Sequence, residues 1–76
     1  MTVNFYVEGD FHPELPLRVL NLLAQRSIAC ETAKVARIGD RYRIGVAVAG
    51  LSEDQVAILV EKMRALILVD MATVSS

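Results

Sequence analysis

FHPELPLRVLNLLAQRSIACETAKV, residues 11–35, decides how the rest of this 76-residue chain is read. It opens with a tight loop, Phe11-His12-Pro13-Glu14, and continues as a helix from Leu15 to about Gln25. The helix is amphipathic. Glu14, Arg18, Asn21 and Gln25 recur at three- and four-residue spacing, while Val19, Leu20, Leu22 and Leu23 occupy the other side. Proline is tolerated only in a first helical turn, so Pro16 fixes the start close to Glu14. Arg26-Ser27 then breaks the helix without a glycine, which predicts an irregular C-cap. The loop is where a small ligand or a partner would meet the backbone.

Outward from this stretch, period-two alternation marks strands on both sides. Upstream, Val3 to Glu8 puts Val3, Phe5 and Val7 on one face, and Gly9-Asp10 ends the strand. Downstream, Ile28 to Ile38 reads as a weaker strand at a sheet edge. Gly39-Asp40 is a hairpin turn signal. The next strand sets Tyr42, Ile44, Val46 and Val48 against Arg41, Arg43, Gly45 and Ala47. Ser52-Glu53-Asp54-Gln55 is a capping box. Val56, Leu59, Val60, Met63 and Ile67 follow as one helical face, and Leu68 to Val74 is a last strand. The order is βαββαβ. It predicts an α+β, ferredoxin-like sandwich: a four-stranded antiparallel sheet with both helices on one face, as one domain over residues 1–76.

A chain this short buries only about 60% of the surface its unfolded form exposes. Yet 54% of its residues are apolar, more than two helices and a sheet can hide, so part of that surface is expected against another chain. A net charge of −1 gives no footprint for nucleic acid or an anionic membrane. No apolar run approaches membrane-spanning length, and no basic-then-apolar leader opens the sequence. The expectation is a cytoplasmic protein.

Reactive groups are scarce. His12 is the only histidine and Cys30 the only cysteine, which leaves no disulfide, no chelating pair and no histidine pair. His12 reads as a capping or turn residue, and Cys30 as a small hydrophobe. Asp10 and Glu14 flank the loop as carboxylates that favour a first helical turn. Related uses of the topology lack their residues here. A metal carrier needs two loop cysteines, an RNA-binding domain needs paired aromatics on the open face, and an acylphosphatase-like site needs a loop arginine. Catalysis by this chain alone is not expected.

Phe11-His12-Pro13-Glu14, Arg18-Val19-Leu20 and Gln25-Arg26-Ser27-Ile28, in this order, resemble the ACT domain, a small-molecule-sensing βαββαβ module. More narrowly, they are similar to the regulatory small subunit of acetohydroxyacid synthase (acetolactate synthase), isozyme II type. The resemblance implies a non-catalytic subunit in branched-chain amino acid biosynthesis. Its partner would be the synthase large subunit, which carries thiamine diphosphate, Mg and FAD. It also implies a homodimer through edge strands and an amino-acid effector held between subunits. Carried over position by position, the effector-binding residues would be Phe11, His12, Pro13, Glu14 and Leu15 in the loop, with Ala29 and Cys30 at the start of the second strand. The sequence departs from that pattern in three places. Glu14 stands where glycine is usual, Ala29 where asparagine is, and Ser27 where glycine is. Weak or no valine binding is therefore expected. The alternative is a free-standing ACT-domain homodimer that senses an amino acid or another small metabolite.

Overall fold

In the computed structural model, which describes residues 2–76, six elements follow one another. They are β1 (Thr2–Asp10), α1 (Glu14–Ala24), β2 (Thr32–Ile38), β3 (Arg41–Ala49), α2 (Glu53–Arg64) and β4 (Val69–Ser75). The sheet is antiparallel with order β2-β3-β1-β4. Its apolar half is set by strand alternation: Val3, Phe5 and Val7 of β1 lie opposite Val48, Val46 and Ile44 of β3, and all six are buried. Leu15, Val19, Leu22 and Leu23 of α1 and Leu59, Val60 and Met63 of α2 close over that face. Each such side chain contributes about 1.5–3 kcal/mol by leaving water. Both helices therefore lie on one side, and the other face of the sheet is open.

Ser52 begins α2 as read. Its hydroxyl accepts from the Gln55 N–H (3.2 Å), and the Gln55 side chain accepts from the Ser52 N–H (2.8 Å). The exit of α1 is more regular than expected. Ser27 sits at a φ of +56°, the Ile28 N–H donates to the Leu23 carbonyl (3.0 Å) and the Ser27 N–H to that of Ala24 (3.0 Å). This is a Schellman motif with serine in the position that glycine usually holds.

Three boundaries differ from the sequence reading. The second strand begins at Thr32, not at Ile28, because residues 28–31 carry the chain from the helix layer back to the sheet. The first strand runs on through Gly9 and Asp10, which pair with Tyr42 and Arg41. Ile67 is 86% exposed, because α2 stops at Arg64 and the helical period ends with it. Leu66 and Leu68 pack against the core there instead.

Candidate functional site

The loop between β1 and α1 starts at a close approach. A Cβ on Gly9 would stand 2.1 Å from the Leu68 carbonyl oxygen and 2.9 Å from a Leu15 methyl carbon. Glycine is thus needed where β1 passes under the α2–β4 connection, and the Asp10 N–H donates to that same Leu68 carbonyl (3.1 Å). The Phe11 N–H then donates to the Asp40 carbonyl (3.2 Å), which ties the loop to the β2–β3 hairpin.

Helix α1 is assigned from Glu14, but Pro13 already has helical angles (φ −59°, ψ −25°). His12 is therefore the effective cap and Pro13 the first helical residue, a position that suits proline. The His12 Nδ1 accepts from the Glu14 N–H (3.1 Å), so the ring proton is on Nε2. The His12 carbonyl accepts from the Leu15 N–H (3.0 Å), and the His12 N–H donates to Asp10 (2.8 Å). Pro13 and Pro16 have no N–H. The donors of the first turn, which would draw an anion to a helix N-terminus, are thus satisfied within the chain or absent. Glu14 adds a negative charge there, held by Arg18 at 3.5 Å.

Phe11 is half exposed and belongs to a stack that the sequence reading missed. Its ring centroid lies 4.8 Å from that of Tyr42, tilted by 57°, and the Arg37 guanidinium sits 4.0 Å above it. The Arg37 Nε also donates to the Gly39 carbonyl (2.8 Å). Arg37 and Tyr42 are opposite one another across the hairpin. Half of the cluster could have been found from the Gly39-Asp40 turn; Phe11 joins it only through the tertiary fold.

Of the candidate effector positions, Phe11, His12, Pro13 and Glu14 come together at the surface of this loop. Leu15 does not belong with them as a contact residue. Its side chain has no exposed surface and lies in the core beneath Gly9. Ala29 and Cys30 are not at a strand start, since β2 begins at Thr32, and they lie at the far end of the sheet. Glu31 bonds there to Ala47 (2.7 Å), whereas the loop is bonded to Asp40. From Thr32 to Ile38 the strand covers about 20 Å, so one chain holds the two halves of the candidate site apart. Hollows of about 300 and 230 Å³ lie elsewhere, one between Ile28 and Ile58, the other between Val3 and Val56.

Both arginines of β3 on the open face are paired within the chain. Arg43 pairs with Glu8 at 3.7 Å, and Arg41 with Asp70, whose hydrogen bond raises the arginine's pKa further above its usual value. Among the described residues no three His, Cys, Asp or Glu side chains gather as metal ligands would. No helix among them is long and apolar enough to cross a membrane.

Topology, layer order and the capped helix-entry loop together define a small ferredoxin-like domain with a four-stranded sheet covered on one side. Residues 1–75 match the family described as ACT-like domain, and the chain belongs to that family. Its fold is similar to that of the ACT domain from the GTP pyrophosphokinase of Chlorobium tepidum: TM-score 0.85, 9% identity, 99% of this chain and 97% of that one covered. An ACT domain protein from Streptococcus pneumoniae gives 0.79 at 11% identity, covering 100% and 89%. The regulatory subunit of aspartate kinase from Thermus thermophilus gives 0.74 at 18%, covering 99% of this chain and 50% of that one. At these identities the likeness is one of fold. No curated protein matches the chain in sequence.

Proposed function

We propose that this chain is a non-catalytic regulatory subunit that acts by offering surface to other polypeptides, and that its partner is the large subunit of acetohydroxyacid synthase. The observation that carries the binding role is β2. This edge strand is exposed along its whole length, and Ala33 and Val35 stand on the helix side of the sheet without a helix over them. Val35 is 46% exposed although it pairs with the buried Ile44. A second β2, antiparallel to the first, would complete the ladder and bring α1 of each copy toward that surface. The same pairing would set Phe11 to Glu14 of one copy beside Ala29 and Cys30 of the other.

The choice of synthase rests on the residues that resemble its small subunit, Phe11 to Glu14, Arg18-Val19-Leu20 and Gln25 to Ile28. A regulatory role also accords with the aspartate kinase regulatory subunit that shares the fold. On this reading thiamine diphosphate, Mg and FAD act on the large subunit, and this chain works in the cytoplasm with it. Adding the chain to an isolated large subunit should raise acetolactate production, and the two should co-purify. A free-standing homodimer that senses a small metabolite is the second reading. The uncovered Ala33 and Val35 favour it equally, because a second copy alone would cover them. No stimulation, together with a defined ligand bound without any large subunit, would establish that reading in place of the first.

A further inference from the structure

The sheet has two outer strands, and only one of them is guarded. On β4, the Nε of Arg64 donates to the Ala72 carbonyl at 3.0 Å, from the last turn of α2. Alternate residues of β1 bond to opposite neighbours, and Asp10 bonds toward β4; Val7 therefore bonds toward β3, and the carbonyl of Ala72, which lies opposite Val7, points to the strand's outer margin. That is where a further strand would have to bond. Glu61, one turn earlier, holds the same guanidinium at 3.0 Å. On β2 the comparable cation is used elsewhere, since Arg37 bonds to Gly39 and lies on Phe11. Among the described residues no side chain bonds to the backbone of Ala33 to Ala36.

The asymmetry matters because of strand direction. Every neighbour in the order β2-β3-β1-β4 is antiparallel, so β2 and β4 run in opposite directions. A copy simply shifted along the sheet would place its β2 antiparallel to β4. That contact is head-to-tail, has no rotation to close it, and would build an open filament. Pairing β2 with β2 about a two-fold axis closes at two copies. We infer that Arg64 is an edge guard that denies β4 to a second chain and so limits self-association to the closed β2–β2 dimer. This rests on the β2 pairing proposed above.

The test is sedimentation velocity on the full chain and on Arg64→Met, which keeps an unbranched apolar stem and the helix preference but has no donor. Far-UV circular dichroism checks that each variant is folded. Wild type should stop at the dimer. Arg64→Met should form species larger than a dimer whose share grows with concentration, even though the variant is one unit more negative and repels itself more. Arg64→Lys, which restores a cationic donor, should return most of the protein to the dimer. Glu61→Gln, which removes the ion pair but leaves the guard, should stay dimeric. Dimers for both wild type and Arg64→Met would overturn the guard and leave the β2 pairing standing. A monomeric wild type beside an associating Arg64→Met would overturn the β2 pairing and leave the guard. Monomers throughout would overturn both.

Discussion

Ser27 carries a cost that a single substitution would remove. At a φ of +56° its Cβ crowds the backbone, a penalty of about 1 kcal/mol that glycine does not incur. Ser27→Gly should therefore raise the thermal midpoint, by about 4–8 °C per kcal/mol in a domain of this size. Calorimetry that shows an unchanged or lower midpoint would refute this account of the turn. His12 shows the opposite economy, for its ring does local work that a sequence already suggests. With Nδ1 accepting from Glu14, it stands in for the serine or aspartate that caps most helices. Leu15 could not be sorted in the same way. A leucine in a first helical turn can face a ligand or the core, and only the passage of β1 beneath Leu68 puts it inside.

Among the elements, α1 shows how a helix start can lose the property that makes such starts attractive to anions. Its first donors are paired within the chain or are prolines, and Glu14 opposes a carboxylate directly. Titration calorimetry with valine, leucine and isoleucine should accordingly show no binding at micromolar concentration. A micromolar dissociation constant for any of them would mean that the loop opens its bonds for a ligand, against this account. The entry of α2 was legible in full from Ser52 and Gln55, because a capping box depends on residues three apart on one chain. The start of β2 was not. Its residues have weak alternation, and the bond from Glu31 to Ala47 that brings the chain back to the sheet joins segments far apart in sequence.

For the molecule as a whole, part of the excess of apolar residues lies on the uncovered edge strand. Val35 is exposed on its helix side, beside a helix layer that stops short of it, and Ile38 is exposed on its other face. If two chains share that edge, folding and association are linked, and stability depends on concentration. The thermal midpoint should then rise as protein concentration rises. Val35→Lys, which puts a charge on that surface, should abolish the dependence while the domain still folds. A wild-type midpoint independent of concentration would count against pairing through β2.

Element order, the open and covered faces of the sheet, both amphipathic stripes and the capping box were determined by the sequence alone. Each rests on a period or a spacing within one segment, where neighbouring residues carry the information. Only the tertiary structure decided that Leu15 is core, that Phe11 packs against both Arg37 and Tyr42, and that Ala29 and Cys30 stand at the other end of the sheet from the loop. It also decided that Arg64 reaches the backbone of Ala72. These depend on which segments the folded sheet sets side by side, and no local pattern of residues encodes such a distance.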